Sequence, residues 1–442
     1  MTSKRVAIIG LGVTGLSCVT FFNNKGINVT VFDTRSAPPG KDSLDINTEL
    51  VIGPLSATRL SSYDLLVVSP GIAIATPAIA TAIEAGAEVV GDIELFAREL
   101  ATPAYQDAKL VTITGSNGKS TVTTLLGEMA AHAGVKVGVG GNIGVPALDL
   151  LSPDKQLYVL ELSSFQLETT SSLNADVSTI LNISEDHLDR YPSYQAYIDA
   201  KHKIYTQSKV CLINRDDPLT FTLQQPQLSF GVDHSEFGLI AQQGEPFLAQ
   251  NQQPLLPCSA IKLSGKHNWM NALAALALGQ QVDLPMKAML AALQTYKGLS
   301  HRCEFVAEHQ GVRWINDSKA TNIGATQAAL LGLSETITGK VHVILGGDGK
   351  GADFTELAPV LTEIKGQIVC FGQDAALIAA QHPSAIIVAD LMQAVNHIEQ
   401  HATTGDLAIL TPACASLDMY KNFMARGNHF IQLVNQLTEA SL

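Results

Sequence analysis

Three α/β domains are what this sequence predicts, and three observations carry the expectation. At 442 residues the chain is longer than one hydrophobic core ordinarily organises. Short β-rich runs alternate with helix-length stretches, the pattern of a parallel sheet flanked by helices. Two glycine loops, GLGVTGLS from Gly10 and TGSNGKST from Thr114, each follow a strand-like run and open a helix-like one.

The first domain is expected over residues 1–94, with strands in RVAIIG, INVTVFD, DLLVVS and AEVVG. Gly10, Gly12 and Gly15 satisfy G-x-G-x-x-G, and Asp33 ends the second strand. Such a loop makes a tight turn, lets the backbone approach a phosphate closely and presents a helix N-terminus to negative charge. It suits a diphosphate beside a ribose without specifying nicotinamide. A plain strand-to-helix turn is the alternative that the glycines alone leave open.

The second domain, residues 95–298, offers KLVTITG, YVLELS, STILN and KVCLIN as buried strands. A glutamine-rich region, TLQQPQLSFGVDHSEFGLIAQQGEPFLAQNQQPLLP, is expected to form exposed hairpins before the helical NWMNALAALALGQQ. In its loop, Gly115, Ser116, Asn117, Gly118, Lys119, Ser120 and Thr121 form a phosphate cradle of backbone N–H groups. Lys119 is placed to reach β- and γ-phosphates, and Ser120 to ligate Mg²⁺. The usual long spacer is missing, since Ile113 stands five residues before Gly118. Glu161 closes the run YVLE, where a carboxylate can hold Mg²⁺ beside the loop. His187 lies among Glu185, Asp186 and Asp189, with Lys201 and Lys203 following. The residue types alone leave these open between ligands and ordinary surface charge.

The third domain, residues 299–442, restarts the alternation with GVRWIND, KVHVILGG, QIVCFG, SAIIVA and DLAILTP. It is expected to end in a long amphipathic helix from about Ser416.

Composition narrows the function classes. Apolar residues make up 46 % and charged residues 16 %, and the formal net charge is −13. A nucleic-acid surface needs a basic face, so none is expected, whereas a locally basic site for an anionic substrate is compatible with this balance. Cys18, Cys211, Cys258, Cys303, Cys370 and Cys414 form no C-x-x-C pair, which points to a reducing, cytoplasmic setting without a zinc site or disulfide framework. No run of about 18 apolar residues predicts a membrane span. The opening MTSKRVAIIGLG reads as a buried first strand rather than a leader.

Taken together, GLGVTGLS, FDTR, SPGI, TGSNGKST, GNIG, LELSSFQLE, EDHLDRY, GKHNWMNALAALAL, HRCE, NDSKATN, GGDGKGADF and PACASLDMYKNF resemble the Mur ligases of bacterial cell-wall synthesis, over essentially the whole chain. The resemblance implies an N-terminal Rossmann-like domain for the UDP-substrate and a central P-loop ATPase-like domain for ATP. A C-terminal Rossmann-like domain would bind D-glutamate and close over ATP. The implied reaction is ATP-dependent amide formation in peptidoglycan precursor synthesis. A carboxylate of UDP-N-acetylmuramoyl-L-alanine takes the γ-phosphoryl group, and the amine of D-glutamate attacks the acyl phosphate through a tetrahedral intermediate.

Residue by residue, the resemblance places Val13 and Thr14 at the diphosphate, and Asp33, Thr34, Arg35 and Gly71 around the uridine. Asn142 would lie at the muramoyl substrate and the intermediate. Lys119 would bind phosphates, with Ser120 and Glu161 at one Mg²⁺. His187 and Lys201 would serve a second, Lys201 as a carbamate. Asn271 would reach adenine, while Arg302, Asp317 and Lys319 would close over ATP. Thr321, Lys350, Ser416, Leu417 and Phe423 would hold D-glutamate, the last helix adding a positive N-terminal dipole at Ser416. No D-N-P-R string of a diaminopimelate-adding relative occurs, and Cys303 replaces an expected aromatic residue. A monomer is expected, with no nucleic-acid or membrane partner. The alternatives are a Mur ligase adding another amino acid, a folylpolyglutamate-synthetase-like ligase, a non-catalytic nucleotide switch and, most distantly, an NAD-dependent oxidoreductase.

Overall fold

The computed structural model describes residues 4–46, 48–187, 190–224, 226–263, 265–334 and 339–439. Its first sheet contains β1 (Val6–Ile9), β2 (Val29–Asp33), β3 (Glu49–Ile52), β4 (Leu65–Val68) and β5 (Glu88–Val90), all parallel in the order β3-β2-β1-β4-β5. All four residues of β1 are buried, as a strand covered on both faces requires. Chain order reverses at β1, so the loops after β1 and β4 diverge and open a crevice at the carboxyl edge. The helix Val13–Asn24 leaves that crevice from Gly12, with no side chain capping its first turn. Gly15 lies so close to the Gly10 carbonyl that a Cβ there would collide with its oxygen, which explains the third glycine of the motif.

The second sheet has nine strands: β6 (Lys109–Thr114), β7 (Val137–Gly141), β8 (Leu157–Glu161), β9 (Val177–Ile180), β10 (Cys211–Asn214), β11 (Gln227–Phe230), β12 (Phe237–Gln242), β13 (Glu245–Gln250) and β14 (Gln253–Pro257). Their order is β14-β13-β12-β11-β10-β9-β6-β8-β7, with β6 between β8 and β9. The expected hairpins appear as the antiparallel ribbon β12–β14 at one edge. The helix Lys266–Gln281 has every residue from Ala272 to Gly279 buried, so its apolar run covers the sheet while being covered in turn.

The third sheet orders β15 (Glu304–His309), β16 (Val312–Asn316), β17 (Val341–Gly346), β18 (Ile368–Phe371), β19 (Ile386–Ile387) and β20 (Leu407–Leu410) as β15-β16-β20-β17-β18-β19, with only β15 antiparallel to its neighbour. The loops after β16, β20 and β17 therefore emerge side by side at one edge. The last helix spans Phe423–Glu439 and does not begin near Ser416. Residues 416–422 form turns, with Ser416 O accepting from Tyr420 N at 2.7 Å. Asn422 caps the helix through Oδ1, which accepts from Ala425 N at 2.8 Å. The helix dipole expected at Ser416 is therefore absent from that position.

One apolar cluster unites Val6, Ile8 and Phe22 of the first unit with Leu110, Tyr158 and Tyr197 of the second. The helix Asp92–Leu100 spans the boundary expected at residue 94 and binds the second unit. Glu94 accepts from Ser171 N at 2.7 Å and Ser172 Oγ at 2.8 Å, and Asp92 from Gln166 Nε2 at 3.3 Å. The third unit instead packs its own two clusters, one on each face of its sheet. Burial therefore couples the first two units more firmly than the third.

Candidate active site

At the first loop, Asp33 is 3 % exposed and both its oxygens are engaged. Oδ2 accepts from Leu11 N at 2.7 Å and Arg35 Nη2 at 2.6 Å, and Oδ1 from Arg35 N and Nε, each at 2.9 Å. The Arg35 guanidinium foremost, with these backbone donors, holds the carboxyl down at about 2. Asp33 thus anchors a half-exposed arginine at the crevice rather than presenting two open acceptors. Thr34, Gly71 and Val13 are exposed along the same rim, and Thr14 lies in the first helical turn.

In the second loop, Gly118 takes φ +83° and begins the helix Lys119–His132 without a side-chain cap. A Cβ there would stand 2.5 Å from Asn271 Oδ1. Lys119 folds back on its own loop, donating to Gly115 O at 2.6 Å and Ser116 O at 2.8 Å. Ser116 Oγ donates to Ser184 O at 3.0 Å and stands 3.0 Å from Tyr197 Oη, while Asn117 N donates to Asn182 Oδ1 at 2.8 Å. Asn182, Ser184 and Tyr197 were not singled out from the sequence. An asparagine just past a strand end was the only signal at Asn182.

Around this loop the buried cations outnumber what pairs with them. Lys201 is 2 % exposed, donates to Gly115 O at 3.0 Å and lies 4.6 Å over the Tyr197 ring. Burial, then repulsion by Lys119, pushes its ammonium well below its ordinary range. Burial also lowers Lys119, Arg302 and Lys319, the last to about 8 with added repulsion from Arg302 and Lys119. Four mutually repelling cations in one cleft call for a polyanion.

Glu161 is 2 % exposed; Oε1 accepts from Asn142 Nδ2 at 2.7 Å, while Oε2 is buried without a hydrogen-bond partner. A hard divalent cation would satisfy that oxygen, and Ser120 Oγ offers a second donor nearby in sequence to the cradle. Among the described residues no cluster of three or more histidine, cysteine, aspartate or glutamate side chains forms a cage. Mg²⁺ ordinarily completes its shell with phosphate oxygens and water. His187, at φ +57°, packs against Phe165, and burial lowers its imidazole below the ordinary range. Its expected neighbour Asp189 lies outside the described residues.

The third unit closes on this cleft. Arg302 Nη2 donates to Ser120 Oγ at 2.6 Å. Asp186 accepts from Lys350 Nζ at 3.1 Å and Asn322 Nδ2 at 3.3 Å. A cavity of about 410 Å³ lies between the units, lined by Gly118, Asn271, Arg302, Asp317 and Lys319 together with apolar Leu181, Phe230 and Met270. Burial pushes the Asp317 carboxyl up to about 7 even though Cys303 N (3.1 Å) and the Thr411 hydroxyl (3.0 Å) donate to it. The Cys303 thiol is raised well above its ordinary value by burial and by Asp317.

A smaller cavity of about 80 Å³ is lined by Asp186, His187, Thr321 and Lys350. Ser416, Leu417 and Phe423 are not among its lining; Ser416 is buried, Leu417 is 70 % exposed, and Phe423 carries Lys319 Nζ 4.5 Å over its ring. Among the described residues no helix is long and apolar enough to cross a membrane.

Three family models match in order along the chain: the Mur ligase MurD-like N-terminal domain at residues 4–91, the Mur ligase middle domain at 113–279 and the Mur ligase glutamate ligase domain at 301–414. The UDP-N-acetylmuramoylalanine--D-glutamate ligase of Salmonella typhi is 52 % identical over 439 residues, covering 98 % of each chain. Among solved structures, the UDP-N-acetylmuramate-alanine ligase MurC of Thermotoga maritima shares the fold with a TM-score of 0.62 and 19 % identity, over 98 % of this chain and 99 % of that one. MurF ligase of Thermotoga maritima, in complex with ADP, does so with a TM-score of 0.62 and 14 % identity, over 100 % and 99 %. Strand–loop–helix order in all three units agrees with these matches, and the chain belongs to the Mur ligase family.

Proposed function

We propose that this chain joins D-glutamate to UDP-N-acetylmuramoyl-L-alanine at the expense of ATP, making a peptidoglycan precursor in the cytoplasm. The observation that carries the reading is the 52 % identity, over 98 % of both chains, to a relative bearing the name of that ligase. The two glycine loops support it, because each offers an uncapped helix start to a different phosphate chain. Arg35, oriented by Asp33, would meet the uridine end with Thr34 and Gly71, and the turn at Val13 and Thr14 the diphosphate.

A carboxylate is a poor electrophile, and phosphorylation supplies the leaving group it lacks. Bringing two anions together demands cations and positioning. Lys119, released from Gly115 O and Ser116 O, would turn to the phosphates, with Arg302 and Lys319 beside it. Asn271 and Asp317 would flank the nucleoside in the larger cavity. Glu161 and Ser120 would hold Mg²⁺, with His187 and Lys201 serving a second ion. Bound there, Mg²⁺ would spread the charge of the transferring phosphoryl group. Burial favours the neutral form of the Lys201 amine, the form that adds CO₂ to give a carbamate. Asn142, held by Glu161, would orient the muramoyl end. Thr321, Lys350, Ser416, Leu417 and Phe423 would hold D-glutamate, so that its amine faces the acyl phosphate and the tetrahedral intermediate collapses to amide and phosphate. Closure of the third unit would exclude water from the acyl phosphate.

The test is ADP release by the full chain with UDP-N-acetylmuramoyl-L-alanine, Mg²⁺ and a series of D- and L-amino acids, with product mass as confirmation. Turnover should require D-glutamate. Turnover with L-alanine or L-lysine and none with D-glutamate would overturn the reading.

A further inference from the structure

Arg426 sits one turn into the helix Phe423–Glu439 and is completely buried. Each of its five N–H groups meets a neutral oxygen. Nε donates to Ser318 Oγ at 3.0 Å, Nη2 to Ser318 O at 2.9 Å and Cys414 O at 3.0 Å, and Nη1 to Gly346 O and Ala415 O, each at 3.3 Å. Ser318 Oγ in turn donates to Phe423 O at 2.8 Å. These oxygens come from the ends of the three neighbouring strands β16, β17 and β20, whose loops carry Thr321, Lys350 and Ser416. Gly347 passes so close that a Cβ there would stand 3.2 Å from Nη1. Among the described residues no carboxylate lies within ion-pair distance of this guanidinium. Asp418 faces it from farther away, along with Cys414 and Tyr420, while Asp418 Oδ2 accepts from Gln373 N at 3.0 Å.

We propose that Arg426 is the positioning residue of the amino-acid pocket: it fixes the three loops relative to Phe423 and lends an unpaired positive charge to an amino acid carrying two carboxylates. The proposal rests on the reading that these loops hold D-glutamate. Only a planar five-donor fork satisfies all these carbonyls at once; a lysine has three donors on a point charge. A buried charge with no carboxylate in contact is costly to the folded protein, and a ligand that brings two carboxylates to the loops Arg426 holds would offset part of that cost.

The experiment measures KM for D-glutamate, ATP and the UDP-substrate separately in Arg426→Gln, Arg426→Lys and Ser318→Ala variants of the full chain. Arg426→Gln should raise KM for D-glutamate about tenfold or more, the loss of one strong charged contact, while the other two KM values change less than about threefold. Arg426→Lys should recover part of that loss. Ser318→Ala, which removes one anchor but no charge, should raise the same KM by about two- to fivefold. Equal rises in all three KM values, or an unchanged D-glutamate KM in Arg426→Gln, would overturn the proposal; equal losses in the lysine and glutamine variants would overturn its charge component. Should the glutamine variant not fold, an unchanged D-glutamate KM in folded Ser318→Ala overturns it. Failure of the unaltered protein to turn over D-glutamate refutes the functional reading instead, before any variant is compared.

Discussion

Replacing Arg35 by alanine asks directly which nucleotide the first loop serves. The substitution removes the Nε and Nη2 donors from a carboxylate that is 3 % exposed, leaving Leu11 N and the residue 35 N–H. The arginine side chain is itself 50 % exposed, so solvent screens the pair. Its contribution to stability is therefore on the order of 1 kcal/mol, not the several of a fully buried pair. The folded carboxyl sits at about 2, below its unfolded value. That stabilisation is complete above the unfolded value and is lost as pH falls through the folded one. Variant and unaltered protein should thus differ at pH 7, by about 1–2 °C in the first unfolding transition, and converge near pH 2. In the ADP-release assay, KM for the UDP-substrate should rise about tenfold while KM for ATP stays unchanged. A rise in KM for ATP with none for the UDP-substrate would refute the reasoning.

Further outcomes concern the second loop and the cations around it. Gly118→Ala combines φ +83° with a Cβ 2.5 Å from Asn271 Oδ1; calorimetry should show ATP affinity falling about tenfold or more, with UDP-substrate affinity unaltered. Lys319 loses its proton at about 8 in the free protein, so kcat/KM for ATP should decline as pH rises through that value, and Lys319→Arg should carry the decline to higher pH; a profile unmoved by the arginine would exclude Lys319 as its source. Burial of the same group predicts the opposite trend for stability, which should increase with pH between about 8 and the ordinary lysine range, where only the unfolded chain keeps the proton. Lys201→Ala should be inactive and regain activity with added formate or acetate, and mass spectrometry in bicarbonate should detect a carbamate on Lys201; an unmodified lysine in active protein would contradict that role.

Part of the site is legible in the chain itself. Gly10, Gly12 and Gly15 marked a strand–loop–helix turn because only a glycine tolerates the contact at Gly15, and Glu161 was legible because a carboxylate closing an apolar run is conspicuous. The last helix starts seven residues later than expected, at Phe423 and not Ser416. Amphipathic spacing alone does not mark the start, whereas Asn422, a good capping residue, stands immediately before Phe423. Asn182, Ser184 and Tyr197 escaped notice because they act through folding: β9 and the helix Tyr194–His202 bring them to the loop across a large sequence separation. Arg426 carried no motif of its own, since five main-chain and hydroxyl acceptors from three loops become a site only when β16, β20 and β17 lie side by side. The alternative NAD reading of the first loop weakens for a similar reason. Asp33, the residue that would accept from a ribose, already spends both oxygens on Leu11 and Arg35.

Hydrogen–deuterium exchange of the full chain with UDP alone and with ADP alone tests most directly that two glycine loops serve two nucleotides. UDP should slow exchange at residues 10–17 and 33–36 and leave 115–124 unchanged, while ADP should protect 115–124 and 268–271 only. Protection of 115–124 by UDP, or of 10–17 by ADP, would contradict the account.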